Sequence, residues 1–373
     1  MATQRTDSNL CIMKIGIVTQ PLLNNYGGVL QNFALQQTLR KLGYEPITID
    51  YTPQMTRGRF VKLWVRGLFY NLFHTTKREL LKSRVTHRRH PYFAKFIEKN
   101  ISTTHCVHEY SPRLVTEYQL EAVITGSDQV WRPCYNRRVL TNMFLDFVPG
   151  GSGAKKIAYA ASFGVDNWEY KPSNERKCRK LAQRLDAVSV RESSGVALCS
   201  DYLHIEATEV LDPTLLLAAD DYKAVCANVP KSEDRYVAAY ILDATPEKVE
   251  YVKQEAERRG VSYRIYGAGS DVSLSVEEWL ALFRDAESVV TDSFHGCAFS
   301  TIFRKDFVAI INRDRGASRF VSLLGKFDML DRVIIDSTCG ELPTESVKWD
   351  RIEEILKSWQ AHSLNYLSKN LCR

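Results

Sequence analysis

Ile15-Gly16-Ile17-Val18-Thr19, followed by Gln20-Pro21-Leu22-Leu23-Asn24-Asn25-Tyr26-Gly27-Gly28, is the stretch whose reading decides the fold. A short apolar run of this length, broken by proline, asparagines and paired glycines, reads as a buried strand entering a tight loop. Residues 29–42 then place Leu35, Leu39 and Leu42 on one helical face, and Gly43 stops the helix. Pro46-Ile47-Thr48-Ile49-Asp50-Tyr51 reads as the next strand. Strand, helix and strand in this order predict a βαβ opening of a doubly wound α/β domain.

Working outward, Ala122-Val123-Ile124-Thr125-Gly126-Ser127-Asp128, Ile157-Ala158-Tyr159-Ala160-Ala161-Ser162 and Ala187-Val188-Ser189-Val190-Arg191 repeat the form of a buried strand running into a loop. Ligands of open α/β sheets bind beyond the carboxyl ends of the strands, so Asn25, Gly27, Asp128, Ser162 and Arg191 are expected to face one cleft. Residues 209–217 and 229–234 read as a boundary, after which a second α/β series begins. Its strands are expected at 236–241, 262–266, 288–292 and 307–312, with helices over 246–259, 275–284 and 297–303. Ile352, Ile355, Leu356 and Trp359 give one apolar face to a last helix long enough to cross back to the first domain. The expected domains are 13–228, 229–345 and a crossing helix within 346–373. Two Rossmann-like halves facing a cleft, with a crossing helix, predict a GT-B-like α/β architecture.

Composition narrows the partners. The chain has 373 residues, 45% hydrophobic and 25% charged, which excludes a disordered or collagen-like polymer. The formal charge is +6, but residues 57–99 hold twelve Lys/Arg against two Asp/Glu, a net +10 that leaves −4 for the rest. That segment mixes Trp64, Phe69, Tyr70 and Phe73 with Arg84, Arg88 and Arg89, the composition of an amphipathic element lying on anionic headgroups. A solvated insertion packed on the first domain is the other reading. No nucleic-acid motif accompanies the basic segment, so no nucleic-acid partner is expected. Nine scattered cysteines without a CxxC, and no His at ligand spacing, point to neither a zinc site nor a disulfide framework. No run reaches a membrane span and the first twenty residues lack a signal-peptide pattern, so a cytoplasmic protein, peripheral at most, is expected.

An ordered set of motifs resembles the polysaccharide pyruvyl transferase family. The matching positions are Asn25-Tyr26-Gly27-Gly28-Val29-Leu30-Gln31-Asn32, Gly126-Ser127-Asp128-Gln129-Val130-Trp131, Ser189-Val190-Arg191-Glu192, Asp212-Pro213-Thr214, Asp292-Ser293-Phe294-His295-Gly296 and Arg315-Gly316-Ala317-Ser318-Arg319-Phe320. The resemblance implies transfer of the group derived from phosphoenolpyruvate onto two hydroxyls of a sugar, with a cyclic pyruvate ketal and phosphate as products. With the basic segment docked on the inner face of the cell membrane, the expected acceptor is a lipid-diphosphate-linked oligosaccharide or other galactose-type glycan, a precursor of a bacterial capsule or exopolysaccharide. The resemblance also implies that His295 acts as the acid. That chemistry needs a proton donor, a base and cations for a carboxylate and a phosphate. Asp292 or Asp128 fits the base, with Asp292 alternatively orienting His295. Arg191, Arg315 and Arg319 fit the anion clamp, since a guanidinium fork matches both anions. Some relatives carry an arginine where Ser293 stands here, so a hydroxyl is expected to replace one donor contact. Asn25, Gly27, Gly28, Gln31 and Asp128 are expected along the acceptor side of the cleft.

Read without the resemblance, each site keeps a plain alternative. Gly27-Gly28 makes a turn, His295 caps a helix or fills core, and the arginines are solvated. Neither a cofactor nor a metal is expected. A nucleotide-sugar glycosyltransferase and a non-catalytic glycan-binding protein are the competing functions.

Overall fold

The computed structural model describes residues 12–53, 89–267, 274–311, 317–335, 342–343 and 345–372. Two parallel sheets organise them. The first contains β1 (Lys14–Val18), β2 (Glu45–Thr48), β3 (Ala122–Thr125), β4 (Lys155–Ala161), β5 (Ala187–Val190) and β6 (Thr208–Glu209) in the order β2-β1-β3-β4-β5-β6. The second contains β7 (Tyr236–Tyr240), β8 (Ser262–Tyr266), β9 (Ser288–Thr291), β10 (Asp306–Ile311) and β11 (Val333–Ile335) in the order β11-β10-β9-β7-β8. Both faces of a parallel sheet are covered, which is why β3 and β9 are buried at every position. β6 and β11 were not anticipated: two and three residues carry no readable alternation, and Thr208–Glu209 closes the first sheet where a domain boundary was expected.

The first helix, α1 (Tyr26–Lys41), is buried along most of its circumference rather than on the single leucine face the sequence suggests. Three of its buried polar side chains hydrogen-bond with Thr19 and Thr48 or the backbone beside them. Gln31 Nε2 donates to Thr19 Oγ1 (2.9 Å), Gln36 Nε2 to Thr48 Oγ1 (2.8 Å), and Thr48 Oγ1 to Asn32 Oδ1 (2.9 Å). After the basic segment the chain re-enters as α2 (Pro91–Asn100), whose Phe93, Phe96 and Ile97 pack into the core beside α1. Residues 89–99 thus belong to the body; residues 57–88, with Trp64, Arg84 and Arg88, lie outside the described residues.

Further helices cover the sheets: α3 (Pro172–Ala182), α4 (Pro246–Arg259), α5 (Val276–Asp285), α6 (Phe294–Ile302) and α7 (Ala317–Lys326). The last helix, α8 (Trp349–Leu371), performs the expected crossing. Near its start Asp350 pairs with Arg304 of the second half (2.8 Å). Further along, Gln360 donates to Leu215 O (2.7 Å) and Tyr366 Oη to Ala158 O (3.0 Å) in the first. One apolar cluster runs from Ile15 and Leu30 through Trp279 and Phe299 to Leu367, so the halves share a continuous core. This two-sheet α/β arrangement with its returning helix is the GT-B-like architecture expected. No described helix is long and apolar enough to cross a membrane.

Candidate active site

Two strand-to-helix turns meet where the halves face each other. In the second half, β9 delivers Thr291, whose hydroxyl donates to Tyr240 O (2.6 Å) and accepts from Ser293 N (3.1 Å). Ser293 is extended (φ −108°, ψ 132°) and its hydroxyl caps α6 by accepting from Gly296 N (3.4 Å). The helix starts at Phe294, three residues earlier than the sequence suggests, so His295 lies in its first turn. His295 is 8% exposed, and its Nε2 is buried without a hydrogen-bond partner among the described residues.

The opposing turn, at the start of α1, makes room for that ring. A Cβ on Gly27 would stand 1.9 Å from His295 Nδ1, which no real contact permits, whereas one on Gly28 would meet only Asn25 at 3.6 Å. Of the two glycines the sequence singles out, Gly27 is the one the site demands.

Below the imidazole sits a buried charge cluster on the first sheet. Arg191, just past β5, donates through Nη1 to Asp212 Oδ2 (2.7 Å) and through Nη2 to Asp128 Oδ1 (3.2 Å). Glu192 Oε2 lies 3.7 Å from its Nε, and Phe294 of the opposite half lies under its guanidinium at 4.7 Å. Asp212 also accepts from Ser127 Oγ (3.2 Å) and from the N–H and hydroxyl of Thr214 (3.0 and 2.7 Å). Asp128 is presented on left-handed backbone (φ 67°) after Gly126, where a Cβ would come within 2.0 Å of Tyr159 O.

Electrostatics couples these groups. Burial depresses the His295 pKa below its usual value; Asp212 and Asp128 oppose that, and Arg191 and Arg319 reinforce it. The positive end of α6 acts in the same sense. Burial alone would raise the Asp212 carboxyl, but Arg191, His295 and the Thr214 bonds override it and hold it below the ordinary carboxylate range. Arg191 stays charged because Asp212, Asp128 and Glu192 outweigh its burial. Arg319, in the first turn of α7, is lowered to about 10 by burial and then by the like charge of Arg191, and remains a cation at neutral pH.

The remaining expected site residues fall into three groups. Asn25 is an exposed cap that accepts from Gly28 N (3.2 Å), and Gln31 bridges Thr19 to Ser127 N (3.1 Å), so both shape the cleft rather than enter it. Three expectations are corrected. Asp292 does not orient His295: its carboxylate accepts from Lys248 Nζ (2.8 Å) and from Leu242 N and Asp243 N (2.6 and 3.1 Å), fixing the loop after β7. The Arg191 fork is not an open anion clamp, because two carboxylates occupy it. Arg89, expected at a membrane surface, is tied to the body through Asp50 and donates to Leu22 O (2.6 Å). Arg315 lies outside the described residues.

Asp212 and Glu192 entered the sequence reading only as motif letters, yet they complete the cluster. Glu192 Oε1 accepts from Ser162 Oγ (2.7 Å) and Phe163 N (2.9 Å), so it ties two cleft loops together. The Asp-Pro-Thr spelling, a self-capping turn, was the available signal for Asp212. Among the described residues, no group of three His, Cys, Asp or Glu is placed to hold a metal ion.

A model of the polysaccharide pyruvyl transferase family matches residues 25–315, a span that contains Gly27, Asp128, Arg191, Glu192, Asp212 and His295. No curated protein matches the chain. Among solved structures it is similar to S. aureus MnaA with UDP, at 11% identity over 95% of this chain and 91% of that one, TM-score 0.46. It is also similar to the UDP-GlcNAc 2-epimerase of Neisseria meningitidis (10%, 97% and 95%, 0.44) and to the E. coli ADP-heptose LPS heptosyltransferase II (12%, 94% and 99%, 0.36).

Proposed function

Because the chain belongs to the polysaccharide pyruvyl transferase family, we propose that it takes phosphoenolpyruvate as donor and closes a cyclic ketal on two hydroxyls of a sugar, with His295 as the acid. The observation that carries this reading is the His295 imidazole itself. It is buried, its Nε2 is unpartnered among the described residues, and it sits between two cations and two carboxylates at the junction of the halves.

The reaction balances without a cofactor. Imidazolium protonates C3 of the enol phosphate, C2 becomes cationic, and one sugar hydroxyl adds there while passing its proton to a base. Phosphate leaves as the second hydroxyl closes the ring and takes up that hydroxyl's proton, while the proton held by the base replaces the one that His295 gave to the new methyl group. A buried neutral histidine is a poor acid at pH 7, but a trianionic donor beside it stabilises the imidazolium. Loading the donor therefore arms the acid. Arg319, still cationic, supplies attraction for the anion, and Arg191 joins it only by giving up a carboxylate partner. That exchange frees Asp128, the more accessible of the two carboxylates (10% exposed against 1% for Asp212), to accept the hydroxyl proton.

The acceptor in this proposal is a galactose-type glycan, carried on a lipid diphosphate during bacterial capsule or exopolysaccharide assembly. The net +10 of residues 57–99 supports work at an anionic membrane face. Its test is liposome flotation with charge reversal at Arg84 and Arg88, leaving Arg89 untouched. The chemistry is tested by phosphate release from phosphoenolpyruvate with a galactose-bearing lipid acceptor, the product being examined for the ketal by mass spectrometry. Release without a ketal-bearing product, or turnover of UDP-sugars instead, refutes the proposal.

A further inference from the structure

The segment that follows Asp128 carries a feature the proposed chemistry does not use. Tyr135 is among the most exposed large hydrophobic side chains of the described residues, at 60%. It stands in a one-turn helix, Pro133–Asn136, pinned from below: Asn136 Nδ2 donates to Gln129 O (3.0 Å), Val130 O (2.8 Å) and Arg132 O (3.2 Å). The ring is also braced. The Arg132 guanidinium lies 5.4 Å from its centroid, and Arg132 is fixed by paired bonds to Glu169 (both 3.1 Å) and by one to Gln129 Oε1 (3.1 Å). The ring thus stands exposed beside a fixed guanidinium, on a short helix tied to the segment that begins seven residues back at Asp128.

We infer that Tyr135 is the stacking platform for the acceptor sugar, taking the apolar face of a hexopyranose at the mouth of the cleft. The inference rests on the sugar acceptor of the proposed reaction. One face of a galactose-type ring presents C3–H, C4–H and C5–H together, and these weakly positive hydrogens suit the negative face of an aromatic ring. Docking there removes apolar surface of both partners from water and leaves the sugar hydroxyls at the rim free. Because Asp128 and Tyr135 belong to one braced turn, a sugar seated on the ring is carried toward the carboxylate that would deprotonate it. Gln20, just past β1, donates through Nε2 to Gln129 O (3.1 Å) and to Asn136 Oδ1 (3.0 Å), which holds the segment bearing Tyr135 beside the carboxyl end of the first sheet. Arg132 acts through Tyr135 and is a positioning residue.

The experiment uses the full chain and methyl β-D-galactopyranoside, followed by NMR titration and, separately, as acceptor in phosphoenolpyruvate-dependent phosphate release. Tyr135→Ala is expected to weaken galactoside binding about tenfold and to raise the acceptor KM by the same factor, with kcat and the donor KM within about twofold. Tyr135→Phe and Tyr135→Trp are expected to bind as the parent does, since a ring and not the hydroxyl is required. The exposed site makes an unchanged melting temperature the check that folding is intact. Unchanged galactoside binding in Tyr135→Ala, or no galactoside binding by the parent protein, overturns the platform. Galactoside binding that depends on Tyr135 with no phosphate release would leave the platform standing and sink the pyruvyl-transfer reading. Turnover with the parent acceptor KM in Tyr135→Ala would do the reverse.

Discussion

The turns at Asn25-Tyr26-Gly27-Gly28 and Ser293-Phe294-His295-Gly296 use the same local device to opposite ends. Each follows a buried strand inside its sheet, and each helix is capped by a short polar side chain accepting from the N–H three residues on. They differ at the third position, where one has glycine and the other histidine, and those two positions touch. The first turn contributes space and the second contributes a proton carrier, so neither half holds a working site alone. Tyr26 strengthens the junction: its ring stacks on Trp279 at 5.3 Å and its hydroxyl donates to Leu274 O (2.5 Å).

Removing the side chain that only one turn possesses is expected to have the largest effect. His295→Ala should lower kcat by about 10²–10⁴-fold with the circular dichroism spectrum and melting temperature retained. Adding a methyl group where the other turn has none comes next. Gly27→Ala must push the imidazole aside or part the halves, and a misplacement of about 1 Å costs on the order of a hundredfold in kcat. Gly28→Ala, one position on, should stay within about twofold, because its new methyl meets only ordinary contact at 3.6 Å. Equal losses in the two variants would break the comparison.

Those contrasts show what was legible. Apart from the short β6 and β11, the strands and the two turns carry local signals, apolar runs that end in polar or glycine-containing loops, and were readable. The partners of the charged residues were not. Asp292 sits three positions from His295, yet its carboxylate is taken by Lys248, on a helix 44 residues back in the chain. Arg191 reads as a solvated side chain when the resemblance is set aside, but its shortest bond (2.7 Å) is to Asp212, which only folding brings near. Arg89 reads as part of a basic run, while Asp50 on the body holds it. Strand periodicity gives direction relative to the sheet; it does not say which distant side chain waits there.

Smaller effects sharpen the same picture. Because folding lowers the His295 pKa, its contribution to stability is full above the unfolded value near 6.5 and declines as pH falls below it. Chemical denaturation across pH 5–7 should show that decline, reduced in His295→Gln. The Asp212 contribution behaves separately, holding above about pH 4 and weakening below it, since its folded pKa is the lower one. Asn25→Ala, which removes only a cap, should cost about 1 kcal/mol in urea unfolding and leave the acceptor and donor KM values unchanged.

The central claim, that the donor arms a histidine kept neutral by burial, is tested most directly by the pKa of His295 from NMR titration with and without phosphoenolpyruvate. The account predicts a value below 6.5 in the free protein and a clear rise when the donor is bound. A His295 pKa that stays where it was on donor binding would contradict it.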